Sequence, residues 1–141
     1  MAGCGGDDVA VDMEYPVIAT DFAQAFPKQC DTIRVGETFT FKAKFTDNVE
    51  LGSFSLDFHH NFDHHTHSTE VASCSMEPVK TPKKPFVMIK NYPIPNGLKE
   101  YEATIELAVP ADVDSGDYHL MILLTDQEGW QTMKGLSVKI Q

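Results

Sequence analysis

The chain has 141 residues, 42% hydrophobic and 23% charged, which is one domain's worth of an ordinary soluble globular composition. A formal net charge of −10 argues against nucleic acid as a partner, because phosphates call for a basic face. No apolar run approaches the roughly 20 residues that span a bilayer, so the sequence offers a membrane link only through a lipid anchor.

Residues 1–14 carry no hydrophobic period and read as a flexible tether, with the folded domain over 15–141. Within the tether, Ala2-Gly3-Cys4-Gly5-Gly6-Asp7-Asp8 resembles the end of a lipoprotein signal peptide. In such a peptide small residues precede the cysteine that is cleaved and acylated, here Cys4, and an acidic tether follows. A cloning remnant is the alternative. Export would place the domain in an oxidising compartment, where Cys30 and Cys74 can form a disulfide. A reduced buried pair, or one cysteine serving as a thiolate ligand, stays open.

Period-2 alternation dominates the rest of the chain. From Thr38 to Thr46, Phe39, Phe41, Ala43 and Phe45 alternate with Thr40, Lys42 and Lys44. A Thr46-Asp47-Asn48 turn follows. From Ser53 to His60, Phe54, Leu56 and Phe58 share one face while Ser53, Ser55, Asp57 and His59 share the other. An irregular stretch from Asn61 to about Pro85 is long for a compact domain, and such loops are often functional. Phe86–Lys90 reads as a short strand closed by a Pro-Asn-Gly turn. Tyr101–Val109 alternates again. Tyr118–Thr125 is apolar on both faces, as central strands are. Asp126–Gly129 is a turn, and Leu136, Val138 and Ile140 close the pattern.

About seven short antiparallel strands with one long histidine-rich loop predict an all-β, immunoglobulin-like sandwich. Asp114-Ser115-Gly116-Asp117-Tyr118 resembles the tyrosine corner of that fold, in which a tyrosine opens strand F and its hydroxyl ties back to the preceding loop. Leu120 stands where an antibody domain has cysteine, so the domain is Ig-like and lacks the inter-sheet disulfide.

Five of six histidines fall between residues 59 and 67. Imidazole is the commonest transition-metal ligand because it is neutral near pH 7. In an Ig-like sheet strands C and F are antiparallel neighbours, which sets His59 beside His119 on one outer face. The predicted metal ligands are His59 and His119 from the strands, with His65 and His67 from the loop and His64 as a substitute for either. Asp63 is a candidate oxygen ligand or orienting acceptor, and Asp57 a candidate acceptor or base. His60 ranks last by strand parity. Zinc is the expected ion, with copper, nickel and iron as alternatives.

The His59-to-His67 run with its Asn61-Phe62-Asp63 core, the Phe45-Thr46-Asp47-Asn48 turn and the Ser115-to-His119 segment together resemble a Gram-negative lipoprotein family of unknown function. The resemblance implies an Ig-like sandwich after a lipid-modified cysteine, and histidines at 59, 64, 65 and 67. It implies no established activity. The leading expectation is a non-enzymatic lipoprotein, periplasmic or on the cell surface and anchored in the outer membrane, that binds a metal ion for capture, buffering or loop stabilisation. An outer-membrane receptor or transporter would be its partner. An Ig-like adhesion or ligand-binding module with incidental histidines is the rival, although lone Trp130 and an exposed Tyr92 offer little to a sugar. A metallohydrolase ranks third, since no H-E-x-x-H, nucleophile elbow or phosphate loop is present.

Overall fold

The computed structural model describes residues 14–141. The expected tether, with Cys4, lies outside the described residues except for exposed Glu14. Eight strands run in order among the described residues: β1 Val17–Ala19, β2 Thr32–Ile33, β3 Thr38–Thr46, β4 Leu51–His60, β5 Met88–Pro93, β6 Glu100–Ala108, β7 Gly116–Asp126 and β8 Gln131–Ile140. One sheet has the order β1-β3-β6 and the other the order β2-β8-β7-β4-β5. This is the all-β sandwich that the alternation predicts, with an Ig-like strand order.

Three expectations need correction. Two strands escape the sequence reading, because Val17–Ala19 and Thr32–Ile33 are too short to show a period. One of them, β2, pairs parallel to β8, so the sandwich is not wholly antiparallel. The strand expected at 86–90 lies instead at Met88–Pro93. Phe86 is drawn out of it because its backbone N–H donates to the Tyr118 hydroxyl at 2.9 Å and its ring is buried against Phe58.

The core follows from alternation. β3 turns Phe41, Ala43 and Phe45 inward, β6 turns Ala103 and Leu107 inward, and β7 contributes Tyr118, Leu120, Ile122 and Leu124. Phe54 on β4 packs against Phe41 and Phe45 across the sandwich and against Tyr92 beside it, at ring separations of 6.5, 4.9 and 5.0 Å. Tyr92 is therefore half-buried rather than exposed. Each such buried aromatic contributes roughly 1.5–3 kcal/mol over leaving it in water. The tyrosine corner forms: the Tyr118 hydroxyl donates to the Asp114 carbonyl at 2.7 Å. That hydroxyl thus fixes both the turn before β7 and the entry to β5.

Residues 61–87 contain no helix or strand, and they form a strap across the outer face of the five-stranded sheet. Asn61 N–H donates to the Asp117 carbonyl at 2.8 Å, and Thr69 N–H donates to the Gly135 carbonyl at 2.9 Å. Glu77 N–H donates to the Asp117 carboxylate at 2.7 Å. A disulfide joins Cys74 of the strap to Cys30, next to β2. An irregular segment this long survives because its polar backbone groups are paired to the sheet.

Candidate metal centre

Strands β4 and β7 are antiparallel neighbours, and their register sets His59 directly opposite His119. Parity carries both side chains to the outer face, opposite Phe58, Tyr118 and Leu120. The ring centroids stand 5.2 Å apart. Two imidazoles sharing one tetrahedral ion, at metal–nitrogen distances of about 2.0–2.1 Å, hold their ring centres roughly 5 Å apart. That spacing is the one a shared ion would give and equally that of two packed rings, and the Nε2 edge of His119 lies over Gly135 of β8, on the side of β7 away from β4.

His119 differs from the sequence expectation in one respect: although it lies on the outer face, it is 0% exposed. The strap roofs it from above and Gly135 of β8 receives it from the side. A Cβ built at Gly135 would sit 2.6 Å from His119 Nε2, so the ring occupies the space that any other residue's side chain would fill. Neither Nδ1 nor Nε2 of His119 has a hydrogen-bond partner. Burial, and next the neighbouring His59, push its pKa below the ordinary 6.5. The His67 backbone opposes this shift from nearby, without reaching hydrogen-bond geometry. Buried imidazoles normally find partners, and one with both nitrogens idle calls for an explanation.

The other members divide into two groups. His65 joins the pair: its ring centre is 5.8 Å from that of His59 and 6.0 Å from that of His60. His60, ranked last by parity, sits at the strand edge, its ring tilted against Phe62 at 4.9 Å and accepting the Phe62 N–H at Nδ1. Its position beside His65 is what parity misses, because the chain turns back immediately after β4. His64 and His67 are not brought to the pair. His64 donates from Nε2 to the Glu77 carbonyl at 2.9 Å. With exposed His67 it lines a separate cavity of about 300 Å³, between strap and sheet edge, that also includes Gln29, Cys74 and Met76. The His67 backbone approaches His119 while its side chain is exposed beside the cavity.

Two carboxylates orient two of the imidazoles. His59 Nδ1 faces Asp57 Oδ1 at 3.3 Å, and His65 Nδ1 hydrogen-bonds Asp63 Oδ1. The His65 contact, as the leading cause, lowers the pKa of Asp63, so the carboxylate is ionised and can only accept. A carboxylate at Nδ1 favours the tautomer protonated there and leaves the lone pair on Nε2, the arrangement that metal-binding histidines adopt with carboxylate partners. His59 Nε2 meets only the Thr66 hydroxyl, at 3.3 Å. Among the described residues, however, no group of three or more His, Cys, Asp or Glu is placed so that it could hold a metal ion. What is set in place is a pair with a third imidazole close by.

Asn61 and Phe62 organise this region, and sequence reasoning gave them no role. Asn61 is buried, and its amide clamps Thr66 at both ends: Nδ2 donates to the Thr66 carbonyl at 2.8 Å and Oδ1 accepts the Thr66 N–H at 2.9 Å. This closes the turn 61–66, with His64 in the left-handed conformation at φ 60°. Phe62 packs edge-on against Tyr118 at 5.3 Å and against Gly116, where a Cβ would come within 2.8 Å of its ring. The signal that could have found them is pairing of motifs. The Asn-Phe core of the histidine run docks on the Gly-Asp-Tyr that precedes His119.

An Ig-like β-sandwich with a strapped cluster of histidines on its five-stranded sheet is the class that fold and site define. Within that class the chain belongs to the family described as Domain of unknown function (DUF4625), whose model matches residues 2–141. No curated protein matches it. Among solved structures it is similar to the GspB Siglec domain, at 19% identity and a TM-score of 0.47, over 92% of this chain and 59% of that one. It is also similar to a Niemann-Pick type C2 protein from the Japanese carpenter ant, at 13% identity and a TM-score of 0.45, covering 93% of this chain and 98% of that one. A superoxide reductase (neelaredoxin) from Ignicoccus hospitalis is similar at 13% identity and a TM-score of 0.39, over 89% of this chain and 80% of that one. Likenesses at these scores carry no argument about the site.

Proposed function

We propose that this domain is a non-enzymatic metal-binding module of an exported lipoprotein, anchored through Cys4 in the outer membrane. His59 and His119 hold a transition-metal ion, zinc first and copper, nickel or iron as alternatives, and His65 turns in to extend the shell. The observation that carries this reading is the sealed imidazole of His119, with both nitrogens unpartnered and His59 at the spacing of a shared ion. An ion supplies the partner that a buried donor or acceptor otherwise lacks, and leaving such a group unsatisfied costs about 1–3 kcal/mol. The carboxylates at 57 and 63 support it, since they preset the tautomer that coordinates through Nε2. The domain would capture, buffer or deliver the ion to an outer-membrane receptor or transporter, or use it to pin the strap.

Elemental analysis of untagged protein, purified without added metal, tests the reading. Near one equivalent of ion is expected, falling to background in the His59→Ala/His119→Ala double variant. Equal metal content in the two proteins would sink the reading.

A further inference from the structure

Cys30 and Cys74 form the covalent tie between the strap and the β2–β8 edge of the sheet, and Cys30 is exposed. Cys30 also has φ 72°, a left-handed conformation that a residue with a Cβ adopts at a cost. Its neighbour Gln29 reaches the strap at two points. Its Nε2 donates to the Ser68 hydroxyl at 2.9 Å and to the Ala72 carbonyl at 2.7 Å, while its Oε1 accepts the Ser137 N–H at 2.9 Å. A turn closed by the Asp31 N–H on the Lys28 carbonyl at 3.0 Å places residue 30 in that conformation, and the bridge ties this turn, with Gln29 aimed at the strap, to Cys74. Beneath this part of the strap lies the cavity that Cys74 lines.

We infer that the Cys30–Cys74 disulfide is a redox latch on the histidine site: reduction frees residues 70–76, loosens the cover over His119 and weakens the hold on the ion. The last of these consequences rests on the metal reading above; the loosening over His119 does not. The physiological reductant is a thiol. One thiolate attacks a cysteine Sγ, forming a mixed disulfide and expelling the other sulfur as thiolate. A second thiol then resolves the mixed disulfide, so two electrons pass to the protein and an oxidised thiol pair leaves. Without the bridge the turn at 28–31 is no longer tied to Cys74, and the strap from Glu70 to Met76 is left to side-chain contacts such as Gln29 on the Ala72 carbonyl and the Glu70–Lys134 ion pair.

The full chain is prepared oxidised, and in parallel reduced with a trialkylphosphine. The phosphine takes its oxygen from water and leaves two thiols, which iodoacetamide caps. A Cys30→Ser/Cys74→Ser variant provides the same state without alkylation. Two readouts are taken: zinc affinity, and the rate at which diethylpyrocarbonate modifies His119 in metal-free protein, followed by mass spectrometry. Expected are His119 modification at least tenfold faster and zinc binding at least tenfold weaker in both opened forms, with near-UV circular dichroism of the sandwich retained. Unchanged His119 reactivity in a folded variant overturns the latch, and so does wholesale loss of the near-UV signal. If zinc binds equally to open and oxidised forms, the latch on the ion fails while the metal reading stands. If the oxidised protein binds no zinc yet His119 reactivity still rises, the metal reading fails and the latch on the strap stands.

Discussion

The histidines of this domain fall into two regions that differ in how their positions are set. His59 and His119 are fixed by a ladder of β4–β7 hydrogen bonds running from Leu51 to His60, so their separation is a property of the whole sheet. His64, His65 and His67 are placed by one turn, closed by Asn61 and Thr66, and each points differently: one to a carbonyl, one to Asp63 and the strand pair, one to solvent. Histidine density along the chain is therefore a poor guide to convergence in space. Strand register brought together two residues sixty positions apart, while neighbours two residues apart were separated.

The largest effect should come from attacking the strand pair without touching the loop. Gly135→Ala places a methyl where the His119 ring lies, 2.6 Å from Nε2. The ring must leave its seat, which costs about 1–3 kcal/mol of overpacking. Metal affinity should fall a hundredfold or more, as in the double histidine variant, with all six histidines intact. Urea denaturation and calorimetric titration with zinc measure the two effects. A Gly135→Ala protein that titrates like wild type would show that His119 does not take part.

A smaller effect separates the loop histidines from each other. His65→Ala should weaken zinc by about tenfold, or about 1.4 kcal/mol, because it removes the imidazole nearest the pair. His64→Ala and His67→Ala, both facing the cavity, should change it by less than about threefold. The reverse order would mean that the strap closes differently around an ion, with His67 turning inward.

The two regions also differ in how far they were legible in the sequence. Alternation in Thr38–Thr46, Ser53–His60 and Tyr101–Val109 was enough to assign faces, because a strand's period of two is rigid and one face is apolar. The Ser-Gly-Asp-Tyr signal located β7, and once two strands are neighbours their parity fixes which histidines share a face. The strap offered no such periodicity. Its path depends on side-chain-to-backbone bonds such as the Asn61–Thr66 clamp and the Asp117–Glu77 contact, whose partners lie 5 and 40 residues apart. Nothing local marks them. The burial of His119 was illegible for the same reason: parity says which face a residue is on, and only the strap's path says whether that face is covered.

The smallest effect is a pH dependence that comes from buried His119, and it should be read in metal-free protein. Burial holds His119 below its ordinary pKa of 6.5 in the folded state, whereas the unfolded chain titrates it near 6.5. Above that value both states are neutral at this residue and its contribution to stability is constant. As pH falls below 6.5 the unfolded chain takes up a proton that the folded protein refuses, so stability declines until the folded pKa is reached. The lowered carboxylate pKa values of Asp63, Asp112 and Asp114 give losses with the same sign, but only from below 3.8, which leaves the histidine window clear. The urea midpoint should therefore fall between pH 6.5 and 5. His119→Leu, which fills the same apolar seat without a titrating group, should lessen that slope, while His67→Ala, altering an exposed side chain, should not. A slope that persisted unchanged in His119→Leu would assign the acid sensitivity to the strap's histidines, and the division between fixed and loop-held imidazoles would lose its electrostatic half.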